Sequence, residues 1–144
     1  MKFKLTDLQT VIAAILAALF SYAALLKLTD LSQFRAQLEN QVLPEGFSDL
    51  LVWLIPGAGL LICLLLVFQT TRFAGLCAST IVLSLFSTYM ALVLLDFFDR
   101  VPCSCGGILG TAGFEVHLAF NLFFLALSLM GILMFHAKPK QTMT

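Results

Sequence analysis

Leu50–Thr71 reads LLVWLIPGAGLLICLLLVFQTT, and after one charge, Arg72, Phe73–Leu95 reads FAGLCASTIVLSLFSTYMALVLL. Neither run contains an Asp, Glu, Lys or Arg. Each is long enough for an α-helix, rising about 1.5 Å per residue, to cross roughly 30 Å of hydrocarbon. Lipid offers the backbone no hydrogen-bond partners, so a buried segment of this kind must be a helix or part of a closed barrel. Barrel strands are shorter and alternate strictly, and these runs do neither. They are read as helices, and Gln69-Thr70-Thr71-Arg72 leaves room only for a tight turn that makes them an antiparallel hairpin.

Leu8–Leu26 and Leu118–Phe135 are equally free of charge. Four spans are expected, at about 8–28, 50–69, 73–95 and 116–135: an all-α membrane protein, a four-transmembrane-helix bundle forming one domain over 1–137, with a short cytoplasmic tail at 138–144. The composition agrees, since the 144 residues are 60% hydrophobic and 11% charged with a mean hydropathy of +1.02. Soluble domains carry about a quarter charged residues. A net charge of zero provides no basic surface for nucleic acid. The first run follows Lys2 and Lys4 as a signal peptide would. It exceeds the roughly 7–15 residues of a signal core and lacks a small-x-small cleavage site, so it reads as a retained span.

Lysine and arginine set the expected orientation. With the N-terminus in the cytoplasm, Lys2, Lys4, Arg72, Lys138 and Lys140 lie inside, and Lys27, Arg35 and Arg100 outside. That asymmetry follows the positive-inside rule. N-in, C-in is the expected topology. Between the first two spans, Thr29-Asp30 is placed to cap a short helix in which Leu31, Phe34, Leu38 and Val42 recur at helical spacing. Gln33, Arg35, Gln37 and Glu39 oppose them, which predicts a short periplasmic amphipathic helix on the outer membrane surface, ended by Pro44-Glu45-Gly46. Within the second span, Pro56 should kink the helix, while Gly57, Ala58 and Gly59 allow a neighbour to approach closely. The hydroxyls Thr80, Ser84, Ser87 and Thr88 are expected to bond back to their own helix or across to another.

Cys103 and Cys105 carry the strongest chemical signal. The expected topology puts them in an oxidising compartment, where cysteine pairs close. A disulfide across one intervening residue makes a small strained ring, and strained, exposed disulfides are the labile, exchange-prone ones. Pro102 before the pair and Gly106-Gly107 after it permit the turn such a ring demands. The chemistry would be thiol–disulfide exchange, in which a partner's thiolate attacks one sulfur and the other cysteine resolves the mixed disulfide. Arg100 and the start of the last helix favour a thiolate nearby. Two alternatives stay open: a structural staple, disfavoured because so small a ring removes little unfolded-chain entropy, and a zinc or copper site shared with His117.

His117 and Asn121 stand one turn apart on one face of the last helix, just below the cysteine loop. They can bond a quinone oxygen or hold a proton, or they can simply tie helices together. Lys27 and Glu115 lie at the rim of the same region. Cys63 and Cys77 sit at similar depth near the inner turn and read as small hydrophobes rather than a second relay pair. No haem is expected: His117 and His136 are about 28 Å apart along one helix.

Tyr22-Ala-Ala-Leu-Leu-Lys27, the amphipathic stretch with Phe34, the hairpin carrying Phe86-Ser-Thr-Tyr89, and Cys103-Ser-Cys105-Gly-Gly ahead of His117 and Asn121 together resemble the MauE branch of the DoxX-like membrane proteins. The resemblance covers nearly the whole chain, to about Phe135. It implies a four-helix, redox-associated protein of the bacterial inner membrane, linked in that family to maturation of the disulfide-rich methylamine dehydrogenase. A periplasmic thioredoxin-like protein is the partner it implies, with Cys103 and Cys105 matching the family's cysteine loop. The combined expectation is a membrane thiol–disulfide redox component passing electrons between that partner and a quinone. The alternative is a non-catalytic membrane subunit or assembly factor with a structural disulfide.

Overall fold

Five helices make up the regular structure of the computed structural model, which describes residues 5–41, 43–44, 46–98 and 113–137. They are α1 (Leu5–Thr29), α2 (Leu31–Glu39), α3 (Phe47–Val67), α4 (Arg72–Leu94) and α5 (Phe114–His136). Lys2, Lys4, Val42, Glu45, the connection with Arg100, Cys103, Cys105, Gly106 and Gly107, and the tail at 138–144 lie outside the described residues. All the helices but α2 are long and apolar enough to cross a membrane. The protein is a multi-pass, four-helix membrane bundle. Its long helices start or end one to three residues from the expected positions. Counting charge-free residues stops at a charge, whereas α1, α3 and α5 carry Asp7, Asp49 and Glu115 in their first turns, where a carboxylate suits the helix dipole.

The chain runs across, back, across and back. α1 packs on α3 and α5, α4 packs on α3 and α5, and α1 meets α4 weakly across the diagonal. On α1 the buried positions are Gln9, Ile12, Ala13, Leu16, Ala17, Phe20 and Ala24, a stripe at the 3.6-residue period. It meets Ile62 and Leu66 of α3, Leu76 and Leu83 of α4, and Met134 of α5 in one core. The remaining faces are apolar and open, with Leu85 67% and Leu133 69% exposed, as lipid contact requires.

In lipid, apolar burial does not drive helices together, so close packing and hydrogen bonds must. Gly59 brings α3 onto α1: a Cβ there would lie 3.3 Å from both Ala24 Cβ and the Phe20 carbonyl. Gly57, its neighbour in the small-residue run, has nothing within 4 Å and is not part of the contact. The α3 helix continues through Pro56, which is buried.

The end of the bundle where α1 begins is fastened by polar groups. Arg72, read from the sequence as a turn cation, is folded inward and only 8% exposed. Its Nε donates to the Leu66 carbonyl at 3.3 Å and Nη1 to Thr10 Oγ1 at 3.0 Å, joining the α3–α4 turn to α1. Beside it, Gln9 Nε2 reaches the Gly131 carbonyl at 3.5 Å, joining α1 to α5. Arg72→Leu is expected to cost about 3 kcal/mol, since each bond to a buried charged donor is worth roughly 1.5–3 kcal/mol and its acceptors would be stranded. Thermal unfolding in detergent measures this, and an unchanged midpoint would refute the inward fastening.

At the opposite end, α2 folds back on the bundle. Asp30 is its N-cap, accepting from the Gln33 backbone N–H at 3.0 Å and the Ser32 hydroxyl at 2.9 Å. Its apolar face is turned into the protein, where Phe34 and Leu38 bury against Val52 of α3. Arg35 pairs with Asp49 at 2.5 Å across the same contact. The Gln33 amide, then the Ser32 hydroxyl, holds the Asp30 carboxyl below its ordinary pKa. A depressed carboxylate stabilises the fold above the unfolded value near about 4 and stops doing so as pH falls through the folded value. Amide protection in α2 is therefore expected to drop on acidification across that window. Asp30→Asn, which caps without titrating, should show no such drop; an equal drop would remove Asp30 as its cause.

Candidate functional site

The Tyr89 hydroxyl of α4 donates to Gln41 Oε1 at 2.5 Å, and Gln41, just past α2, is buried. Tyr89 also lies against Phe98, ring centroids 5.8 Å apart, where the chain leaves α4. This places the first anchor of the cysteine-bearing connection beside α2. The second anchor is Gly113, whose carbonyl accepts from the Val116 and His117 amides as α5 begins. Between these anchors, Cys103 and Cys105 fall outside the described residues.

Directly below the anchors runs the α4–α5 seam. Thr80 Oγ1 and Ser128 Oγ share a hydrogen bond at 2.9 Å, and Ser128 also donates to the Leu76 carbonyl at 3.0 Å. Counting seven residues along each helix from that pair reaches Ser87 on α4 and Asn121 on α5. Seven residues is almost two whole turns, so both point back into the seam, at one level about 10 Å nearer the anchors. The Asn121 amide donates to the Met90 sulfur at 3.6 Å, a weak acceptor. One turn further along, His117 is half-buried with its Nε2 wholly enclosed. Neither His117 Nε2 nor Ser87 Oγ has a hydrogen-bond partner among the described residues. Lys27, at the end of α1, is within electrostatic reach of His117 and lies 5.3 Å from the Phe34 ring centroid.

The structure therefore brings His117 and Asn121 together on one inward face, with Ser87 opposite. Glu115 is exposed and stands outside this cluster. His136 is at the far end of α5, edge-on to Phe73 with centroids 5.6 Å apart. Cys63 and Cys77 are half-buried free thiols. Among the described residues no three His, Cys, Asp or Glu side chains gather as a metal site, but the zinc or copper reading used Cys103 and Cys105, which lie beyond them. An open groove lined by Leu38, Gln41, Pro44 and Ser48 shares no residue with the seam.

Residues 5–134 match the family model described as methylamine utilisation protein MauE. The chain belongs to the MauE family. The match takes in the four membrane helices and the cysteine-bearing connection, together with Ser87, His117 and Asn121. No curated protein and no solved structure matched the chain.

Sequence reasoning missed Gln41 and left Ser87 among ordinary helix hydroxyls. Of those, Thr80 and Thr88 bond back to their own helix, and Thr80 also reaches across to Ser128. The signal for Ser87 was available only once the α4–α5 register was known.

Proposed function

We propose that this MauE-family protein is a membrane thiol–disulfide redox component that works through Cys103 and Cys105. It exchanges electrons between a periplasmic thioredoxin-like partner and the membrane, supporting disulfide formation or maturation of periplasmic proteins. The observation that carries the reading is the conjunction of a Cys-Ser-Cys pair in the α4–α5 connection with a seam of under-bonded polar groups just below its anchors.

The exchange balances as two displacements. A partner thiolate attacks one sulfur of the Cys103–Cys105 disulfide and releases the other as a thiolate. The partner's second thiolate then displaces the first sulfur, so the partner leaves oxidised and the pair is reduced. Returning the pair to a disulfide releases two electrons and two protons, which a quinone, when bound, accepts to become a quinol. Run backwards, the same steps deliver reducing equivalents to the partner. In this reading His117, near the start of α5, passes a proton between the cysteine pair and the seam.

The reading includes the bacterial inner membrane, with both termini in the cytoplasm, supported by the lysine and arginine count. Kinship to the wider DoxX-like proteins belongs to the same reading. The test is thiol trapping with a maleimide in intact membranes, with and without inhibition of the quinone pool. The Cys103–Cys105 pair is expected to change oxidation state with the pool, and replacing both by Ser to abolish function. A pair locked as a disulfide throughout, or full function in the double variant, would favour a structural staple in an assembly factor.

A further inference from the structure

The groups in the α4–α5 seam share an uncommon property. Ser87 Oγ and His117 Nε2 are each able to donate a hydrogen bond and, after a hydroxyl rotation or a change of tautomer, to accept one. Both are enclosed and unpartnered among the described residues. An enclosed polar atom left without a bond costs free energy comparable to a lost hydrogen bond, more so at membrane depth. Retaining two of them in one seam is explained by a ligand that bonds both.

The seam has an orderly geometry. Ser87 lies level with Asn121, by the seven-residue step from the Thr80–Ser128 bond. His117 lies one turn, roughly 6 Å, further along the axis. The two unpartnered atoms are thus offset along the seam, on opposite helices. Beside them, the Asn121 amide donates to the Met90 thioether at 3.6 Å, a weak bond that a better acceptor can replace. Next to it on α5, the Phe120 and Phe124 rings lie 4.7 Å apart, flat apolar surface for another ring.

We infer that the outer-loop half of the α4–α5 seam is a two-ended quinone site, in which Ser87 and His117 bond the two ring oxygens. This rests on the proposed function for its biological sense, but the binding claim stands on the geometry alone. A quinone oxygen only accepts hydrogen bonds, and the same oxygen in the quinol donates. Two contacts that can reverse their roles suit a ligand whose oxygens reverse theirs. A fatty acid or phospholipid headgroup makes no such demand and brings a negative charge, whereas Ser87–Met90 and His117–Asn121, the described residues of the seam, include no Lys or Arg.

Ser87 is the new assignment, and it separates a binding role from a structural one. Because its hydroxyl has no partner among the described residues, Ser87→Ala is expected to leave the thermal midpoint of the quinone-free protein unchanged or to raise it. The full chain, purified in quinone-free nanodiscs, is titrated with a short-chain benzoquinone and its quinol, and bound ligand is counted after separation. One saturable site per chain is expected. Ser87→Ala and His117→Leu should each weaken binding about tenfold, the worth of one well-made hydrogen bond. Ser87→Thr, which keeps the hydroxyl, should restore most of it. The titration is repeated with Cys103 and Cys105 both replaced by Ser, where affinity should be unchanged.

Absence of saturable binding to the wild type would overturn the site and leave the seam to ordered water. Binding that survives both seam substitutions would overturn its location. A large loss of stability in ligand-free Ser87→Ala would show a structural hydroxyl and overturn the assignment of Ser87. If binding behaves as expected while the cysteine pair never exchanges, the site stands and the thiol–disulfide reading falls. If the cysteines exchange and no quinone binds, the site alone falls.

Discussion

Gly75→Val is expected to destabilise the bundle severely. A Cβ at Gly75 would sit 2.9 Å from the Leu66 backbone nitrogen and 3.0 Å from the Leu65 carbonyl carbon. These are main-chain atoms and cannot rotate aside as a side chain would. The contact also lies beside the α3–α4 turn, which has little slack. Thr71 Oγ1 bonds the Leu65 carbonyl at 3.0 Å, and Arg72 Nε bonds the Leu66 carbonyl at 3.3 Å. To admit one methyl, the helices must part and these bonds must stretch together. Overpacking of this kind costs about 1–3 kcal/mol for Gly75→Ala, and the two further methyls of valine raise it. Against a total stability of about 5–15 kcal/mol, the valine variant should lose a large share of its stability, with a clearly lowered unfolding midpoint and a reduced yield of folded protein. Gly57→Ala is the control: open space surrounds that position, and the gain in helix propensity is about 1 kcal/mol. Thermal unfolding in detergent, followed by circular dichroism, reads both. Equal midpoints for wild type and Gly75→Val would mean that the helices do not cross where the structure has them.

Gly75 also illustrates where sequence reading stops. Four charge-free runs were enough to find four membrane helices, because the thickness of hydrocarbon and the need to satisfy every backbone group leave no other solution. The α2 helix was legible too, from Asp30 as its cap and the spacing of Phe34 and Leu38. Its partner was not legible: an amphipathic face can meet lipid or protein, and here Phe34 and Leu38 meet Val52. Which small residue makes the close approach was equally hidden. Gly57, Gly59 and Gly75 look alike in a sequence, and only helix rotation decides that Gly59 faces α1 and Gly57 faces outward.

The same limit applies to the polar groups. His117 and Asn121 could be paired from their four-residue spacing, because that relation lies within one helix. The Ser87 contribution depends on the register of α4 against α5, fixed by Thr80 and Ser128 forty-eight residues apart. Arg72 was read as a loop cation for the same reason. Its bonding to Thr10 spans sixty-two residues, and no local pattern announces it.

For Cys103 and Cys105 the expected result is an asymmetry between two single substitutions. If the pair performs exchange, each turnover passes through a mixed disulfide with the partner. When the reduced pair passes electrons to the partner, the second cysteine cleaves it, and with one intervening residue the resolving sulfur is held at an effective concentration of about millimolar or higher. Replacing the resolver by Ser leaves the other thiolate free to attack an oxidised partner, forming the mixed disulfide and releasing one partner thiolate. With no neighbour to resolve it, that adduct should rise at least about tenfold over wild type. Replacing the attacking cysteine removes the adduct altogether, as does replacing both. Membranes from the four strains, quenched with acid, alkylated and run without reductant, should show a reductant-sensitive band in one single variant. A structural staple predicts a different pattern, in which both single variants leave one inert thiol and neither traps a partner. Adducts in neither variant would remove the exchange reading. Adducts in both, at equal level, would mean that either thiolate attacks the partner and that the pair has no dedicated resolver.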